Sequence, residues 1–262
     1  MPIARGRQRA LLAALLLKAG YLVSTGHLID ALWGDTPPTS ARAVLHNQVK
    51  RLRDALGEAG RERICTQPGG YLIRLGPGEL DVMRMRDLLA SVRSAARSGA
   101  WDQAADVAAT AELLWRGEPL ADIESEALAR YIPYLTEIYL EVVETRMEAE
   151  VNLGRHAEVI SELRLLVADQ PLGERSHALL MLALYRCGRK GEALDVYRTA
   201  RQILLHELGS EPGLKLQRVH EQILTVRRST HGAGSCPTGA GRKREFRAGG
   251  AGSGSGLAAT SG

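Results

Sequence analysis

Residues 39–56 constrain the fold more than any other stretch, because they predict a helix with one apolar face and polar remaining faces. The apolar positions step by four, four, three and four residues, at Ala41, Leu45, Val49, Leu52 and Leu56. Such steps keep side chains on one side of a helix that turns about 100° per residue. Thr39 or Ser40 is a suitable N-cap, and Gly57 ends the pattern. The sequence therefore predicts a helix that packs on a core through a single face.

The segments on either side of this helix predict a winged helix-turn-helix. Leucines at helical spacing indicate a first helix over 7–18, and a second helix begins after Ser24 or Thr25. The predicted buried residues of the second helix are Leu28, Ile29 and Leu32. Two short strands, 63–66 and 71–75, flank a Pro-Gly-Gly turn and form a hairpin in which Tyr71 is expected in the core. Three helices followed by a hairpin is the order of a winged helix.

The remainder of the chain predicts helices and no strands. The predicted helices are 81–98, 101–115, 124–152, 155–169, 174–187, 190–206 and 213–227. Segments 154–158 and 188–192 match at an offset of 34 residues, the period of tetratricopeptide repeats, and a generic helical bundle is the alternative. The predicted fold is thus mainly α, with a winged helix-turn-helix of three helices and a C-terminal β-hairpin followed by an all-α tetratricopeptide-like helical repeat domain. The predicted domains are 1–77, 78–228 and a disordered Gly/Ala/Ser-rich tail over 229–262.

Charge is spread unevenly over these three segments. Residues 1–77 hold 11 Lys/Arg against 5 Asp/Glu, whereas residues 78–228 hold 19 against 24. The tail holds 4 against 1. A basic unit joined to a larger acidic unit indicates that the first unit is the one that meets a polyanion.

Helix 39–56 and the hairpin together carry the predicted DNA contacts. These are Arg42, His46, Asn47, Lys50, Arg51, Arg53, Gln67 and Arg74. An α-helix fits the major groove of B-DNA, where side chains distinguish one base pair from another. In the hairpin, Gln67 and Arg74 are expected at the DNA backbone or the minor groove. The alternative is an ordinary surface helix whose cationic face is only solvated.

Individual roles follow from the hydrogen-bonding chemistry of these side chains. Asn47 points away from the core and is suited to adenine, while His46 or Lys50 is suited to guanine. Arg51 and Arg53 are expected to hold phosphates and set the register. Double-stranded DNA is therefore the predicted partner of this half of the chain.

Nothing in the sequence predicts an enzyme, a cofactor or a metal site. The seven histidines are scattered, and no HExxH or GxxxxGK[ST] motif occurs. Cys65, Cys187 and Cys236 lie far apart without metal-ligand spacing, which fits a reducing cytoplasm. The apolar run over 10–17 resembles part of a secretion signal but is short and lacks a clean cleavage site, and no stretch approaches a membrane span. We expect a cytoplasmic, nucleoid-associated protein without membrane partners.

Several motifs resemble the Streptomyces antibiotic regulatory protein family in kind and in order. In the N-terminal part these are residues 7–12, 23–24, 28–34, 37–38, 41–42, 49–53 and 68–73. In the helical part they are Leu80-Asp81-Val82, the segment Leu113-Leu114-Trp115-Arg116-Gly117-Glu118-Pro119-Leu120, and residues 206–212. The resemblance covers about residues 5–227. Members of this family join a response-regulator-type winged helix to a helical bacterial transcriptional activation domain.

The resemblance implies an activator of an antibiotic or other secondary-metabolite gene cluster. Such a protein binds direct repeats near a promoter, recruits RNA polymerase holoenzyme and can self-associate on DNA. Family members usually have a short antiparallel sheet before the first helix, and only residues 1–4 precede it here. The sequence therefore predicts a misplaced start or a truncated domain whose first helix exposes apolar surface. The alternative function is a helical-repeat adaptor whose N-terminal domain no longer binds DNA.

Overall fold

A computed structural model describes residues 6–225 and contains twelve helices and three short strands within that range. The helices are α1 Arg7–Leu16, α2 Thr25–Trp33, α3 Ala41–Ala55, α4 Gly57–Arg63, α5 Asp81–Arg97, α6 Trp101–Glu112, α7 Glu126–Ala129, α8 Ile132–Asn152, α9 His156–Asp169, α10 Glu174–Arg186, α11 Lys190–Leu208 and α12 Leu214–Thr225. The strands are β1 Val23–Ser24, β2 Ile64–Gln67 and β3 Gly70–Ile73. This architecture confirms the predicted fold class. The predicted tail over 229–262 lies outside the described residues.

The N-terminal helices pack around one apolar core, as their spacing predicts. Leu11 and Leu15 of α1, Leu28 of α2 and Leu45 and Leu52 of α3 are at most 1% exposed. The side chain of the N-cap residue of α2 accepts a hydrogen bond from the backbone N–H three residues later, at 3.2 Å. That bond satisfies a donor that would otherwise lack a partner in the first turn.

A three-stranded antiparallel sheet in the order β1-β3-β2 closes this core. The sequence predicts the hairpin of β2 and β3 but misses β1, whose two residues are too short to show alternation. Val23 of β1 pairs with Tyr71, which is buried as expected. Gly70 allows this pairing because a Cβ atom at that position would lie 2.0 Å from the Val23 carbonyl oxygen.

The turn after α3 is more structured than the sequence predicts. Gly57 adopts a φ of 68° and ends the straight run of α3, as expected, but a further helix, α4, begins there. Gly60 of α4 is buried, and a Cβ atom at that position would lie 2.7 Å from the carbonyl oxygen of Arg53. The two helices can therefore approach closely only because Gly60 has no side chain.

The helical half consists of packed helices, of which α5, α6 and α8 form one group and α9 to α12 form another. The predicted helix over 124–152 is wrong as a single element, because it divides into α7 and α8. Pro133 lies in the first turn of α8, where a helix needs no hydrogen bond from its backbone nitrogen. Inside a longer helix a proline would remove such a bond and disrupt the helix, which explains why α8 begins here. Two ring stacks occur in the helical half: Trp115 on Tyr139, with centroids 4.4 Å apart, and Tyr197 on His220, at 3.8 Å.

The short helix α7 packs mainly against α1 and α2. Leu128 is fully buried inside the core of the winged helix, and Ile123 and Tyr131 pack against the same core. All leucines of α1 are buried or half-buried, so the expected apolar exposure of the first helix does not occur there. Two large apolar side chains just after α1, Tyr21 and Leu22, are exposed.

Candidate nucleic-acid interface

The helix α3 presents two contrasting faces. Its buried residues are Ala41, Leu45, Val49 and Leu52, which face the core. Its exposed polar residues include Arg42, His46, Asn47, Lys50 and Arg51. Five of the predicted contact residues are therefore brought together on one accessible helix surface.

The cations of this surface are not neutralised within the described part of the chain. Among residues 6–225, Arg42, Lys50 and Arg51 make no ion pair and no side-chain hydrogen bond. The one acidic residue of α3, Asp54, is paired with Arg61 at 3.3 Å. The exposed face of α3 consequently keeps an excess of positive charge that is available to a polyanion.

Arg53 is placed differently from the other predicted contacts. Its Nε and Nη2 atoms donate to the carbonyl oxygen of Ile64 at 3.0 and 2.6 Å, and Nη2 also donates to Thr66 Oγ1 at 2.9 Å. These bonds join α3 to strand β2. The guanidinium thus braces the hairpin against the helix, a role that residue types and spacing gave no means of predicting.

A second link between helix and hairpin involves His46. Its Nδ1 atom lies 3.3 Å from the hydroxyl oxygen of Tyr71 in β3. Because Tyr71 is only 7% exposed and sits in the core, this contact fixes where the imidazole stands on the surface. The remaining ring edge of His46 stays accessible, since the residue as a whole is exposed.

The hairpin of β2 and β3 projects its two predicted contact residues to solvent. Gln67 at the end of β2 and Arg74 just after β3 are both exposed. Gly69 in the turn between the strands has a φ of 86°, a conformation that side chains disfavour. The backbone N–H of Arg74 donates to the Arg63 carbonyl at 2.9 Å, which extends the pairing of the two strands.

Charged groups behind the hairpin are paired. The guanidinium of Arg63 donates to both carboxylate oxygens of Glu79, and the N–H of Gly76 donates to the same carboxylate at 2.6 Å. The Arg63 hydrogen bond and then the Gly76 N–H lower the pKa of Glu79 to about 2. This carboxylate is therefore paired with Arg63 and does not neutralise the cations on the exposed face of α3.

The boundary between the winged helix and the segment of α7 carries polar contacts as well. Arg9 of α1 pairs with Asp122, and Arg130 Nη2 lies 3.3 Å from His27 Nδ1. Partial burial lowers the pKa of His27, with further lowering by Lys18 and Arg130. No sequence signal predicts these contacts, because the partners lie more than 100 residues apart in the chain.

Residues 6–225 contain no cluster of three or more His, Cys, Asp or Glu side chains that could hold a metal ion. Every helix within the same residues is too short or too polar to cross a membrane.

Comparison with known proteins assigns both halves of the chain to families. Residues 4–73 match the family model described as "Transcriptional regulatory protein, C terminal", and residues 80–224 match "Bacterial transcriptional activator domain". The chain is 42% identical to regulatory protein AfsR of Streptomyces coelicolor over 219 residues. It is 36% identical to regulatory protein DnrI of Streptomyces peucetius over 232 residues, which is 85% of this chain and 85% of that protein.

A solved structure shares the architecture. The chain superposes with a TM-score of 0.82 and 32% identity on Mycobacterium tuberculosis EmbR, solved in complex with a low-affinity phosphopeptide. The match covers 86% of this chain and 60% of EmbR. Against AfsR the match covers 83% of this chain but 22% of the relative, so most of AfsR has no counterpart here.

Proposed function

The chain belongs to the Streptomyces antibiotic regulatory protein family of transcription regulators, and we propose that it binds promoter DNA in a sequence-specific manner and activates a secondary-metabolite gene cluster. The observation that carries the DNA-binding part is the exposed face of α3. On it, Arg42, Lys50 and Arg51 have no ion-pair partner among residues 6–225. A surface of this shape and charge suits the major groove of a duplex.

The side chains of α3 divide by what each can recognise. Asn47 has an amide that can pair with the N6 and N7 edge of adenine, and Lys50 or His46 can donate to guanine. Arg42 and Arg51 carry permanent charge and are assigned to phosphates, which position the helix without reading sequence. The exposed Gln67 and Arg74 in the hairpin are assigned to the DNA backbone or minor groove.

Arg53 is assigned to both structure and binding. Its hydrogen bonds to Ile64 and Thr66 hold the hairpin at a fixed distance from α3. The hairpin and the helix then meet the duplex as one rigid surface, so Arg53 supports phosphate contacts made by its neighbours. We treat its own contact with phosphate as secondary, because its donors already have acceptors.

Activation is assigned to the helical half. The family model that matches residues 80–224 is described as a transcriptional activator domain, and DnrI, a regulatory protein, aligns along most of its length. We propose that neighbouring copies lie head to tail on direct repeats and that their helical halves contact RNA polymerase holoenzyme. The protein would act in the cytoplasm, at the nucleoid, without a cofactor.

Selection of duplexes from a randomised pool with the full chain tests the specificity. We expect enrichment of one short element repeated in the same orientation, with centres one helical turn apart, about 10 base pairs. The variant Asn47→Ala should relax one adenine position, whereas Lys215→Ala on the exposed surface of α12 should select the same element. A pool without an enriched element would contradict specific binding and favour the adaptor function instead.

Run-off transcription tests activation separately. On a template that carries the selected element upstream of a promoter, the full chain should increase transcript made by RNA polymerase holoenzyme. A variant with Lys50→Ala and Arg51→Ala should give no increase. Repression, or no change with a protein that binds the element, would contradict the assignment of an activator.

A further inference from the structure

A cavity in the helical half is not used by the proposed DNA-binding function. It has a volume of about 310 Å³ and lies between the start of α5, the first two turns of α8 and the loop that follows α6. Its apolar wall is formed by Val82, Met85, Leu114, Trp115, Leu135 and Ile138. A volume of this size with a mainly apolar wall matches pockets that bind small molecules.

The mouth of the cavity carries the polar groups. Asp81, Arg116 and Glu118 line it and are exposed to solvent. One carboxylate oxygen of Asp81 accepts the N–H of Val82 at 2.8 Å and so belongs to the start of α5. Arg116 and Glu118 form no ion pair within the described residues. Two carboxylates against one guanidinium leave the mouth with an excess of negative charge.

The loop over 114–119 belongs to the family motif of residues 113–120, which DNA binding does not use. The backbone of this motif is unusual, because Gly117 in the loop has a φ of 134° and Leu120, which directly follows the loop, has a φ of 61°. Leu120 is the one described residue other than glycine with a positive φ. Side chains such as that of leucine avoid this region, and residues held there cluster at binding sites and switch regions.

The same loop leads directly to the segment that packs on the winged helix. Leu120 is partly buried and packs against the winged-helix core, and Leu128 lies fully inside that core. Trp115 in the cavity wall is held by its ring stack on Tyr139. A molecule in the cavity would therefore touch a loop whose next residues support the DNA-binding half.

From these observations we propose that the cavity is a binding site for a small, mainly apolar molecule that is neutral or positively charged. The apolar wall provides the binding energy, and the carboxylates at the mouth disfavour an anion. Because the loop continues into the segment around Leu128, occupation of the cavity alters the affinity of the winged helix for DNA. This inference goes beyond transcription regulation, since it adds a ligand to a chain otherwise assigned only macromolecular partners.

The neutral arylamine N-phenyl-1-naphthylamine, whose fluorescence rises in apolar surroundings, is a suitable probe. Titrated into the full chain, it should bind saturably at one site. Val82→Trp places a large ring in the cavity wall and should weaken binding at least about tenfold. Met83→Trp is the matched control, because Met83 is the next residue of α5, is 40% exposed and does not line the cavity. Equal affinity for both variants, or no saturable binding by the wild-type chain, would overturn the site.

A second measurement decides the matter if Val82→Trp fails to fold. Tryptophan excitation should transfer energy to the bound probe from Trp115 in the wall. Trp115→Phe, which keeps an aromatic ring on Tyr139, should remove most of the sensitised emission, and Trp33→Phe should leave most of it. Full emission from Trp115→Phe would place the probe elsewhere and contradict the site.

The link to DNA is tested with the selected duplex. Val82→Trp imitates an occupied cavity and should change duplex affinity at least about threefold relative to Met83→Trp. Equal duplex affinities would refute the link while leaving the site intact. If no variant binds duplex at all, the proposed function fails, but the probe titration still reports on the cavity.

Discussion

Replacement of Leu128 by alanine tests whether the helical half completes the core of the winged helix. Leu128 belongs to α7, is 0% exposed and is surrounded by residues of α1 and α2. In this packing, one residue of the second half stabilises a domain that ends more than 50 residues earlier in the sequence. Leu128→Ala should then destabilise the chain as strongly as a core substitution.

The size of the effect follows from the atoms removed. Leucine has three more side-chain carbons than alanine, and each buried carbon contributes about 0.8 kcal/mol, which gives about 2.4 kcal/mol. The cavity left behind adds to this value, because surrounding helices relax only partly. We expect a loss of about 3 kcal/mol in the free energy of unfolding, within the range for buried leucines.

Urea denaturation followed by circular dichroism measures the loss. Leu113→Ala is the matched control, since Leu113 is the same residue type, directly follows α6 and is 80% exposed. The control should change the free energy of unfolding by less than about 0.5 kcal/mol. Hydrogen exchange should show faster exchange in α1 and α2 for Leu128→Ala alone. A loss below about 1 kcal/mol for Leu128→Ala, or equal losses for both variants, would refute the packing.

Three further substitutions test the account of the winged helix and the effect of burial on His177, which lies in α10 and is 1% exposed. Gly70→Ala puts a Cβ atom 2.0 Å from the Val23 carbonyl oxygen and should lower the urea midpoint markedly. Gly26→Ala is the control, because a Cβ atom there meets open space and should leave the midpoint unchanged or raise it slightly. Equal midpoints for the two variants would contradict the close approach. Arg53→Ala removes three charge-assisted hydrogen bonds and should cost about 1.5–3 kcal/mol in thermal or urea unfolding, and an unchanged stability would show that the brace is unimportant. Burial lowers the pKa of His177 from 6.5, so as pH falls below about 6.5 the unfolded chain takes up a proton that the folded chain does not, and stability falls until the folded pKa is passed. His177→Gln should flatten this part of the profile of urea midpoint against pH, and an unchanged slope would assign the dependence to other groups.

Local signals in the sequence were sufficient for the elements that pack through one regular face. The helix α3 is the clearest case, because Leu45, Val49 and Leu52 repeat at helical spacing and are all buried. The hairpin was predictable from its Pro-Gly-Gly turn and from strand residues on both sides. The predicted domain boundaries remain a proposal, although family models match residues 4–73 and 80–224.

Contacts between distant parts of the chain were not predictable. Leu128 has the spacing of an ordinary helix residue, and nothing in its neighbourhood shows that it enters a core built from residues 10–73. In the sequence, Arg53 has the charge and the helical position of a phosphate contact. Its acceptors, the Ile64 carbonyl and Thr66, come close to it only after folding, so its bracing role could not be predicted. Pairing of β1 with β3 likewise depends on the fold, since a strand of two residues has no periodicity.

The predicted site residues of α3 and the hairpin follow from charge and helical position. The structure places Arg42, Lys50 and Arg51 on one exposed face without an ion-pair partner among the described residues. That arrangement makes a quantitative prediction about salt, because each phosphate contact releases bound cations from DNA.

The salt dependence of duplex binding tests the central claim most directly. The logarithm of the association constant is measured against the logarithm of salt concentration for the wild-type chain and for the double variant Lys50→Ala, Arg51→Ala. The control is Lys215→Ala, Arg218→Ala, which removes the same charges from the exposed surface of α12. We predict that the first double variant binds more weakly and lowers the slope by about 1, because Arg51 is assigned to a phosphate and Lys50 to a base, while the control keeps the wild-type slope. Identical affinities and slopes for all three proteins would show that α3 does not bind DNA.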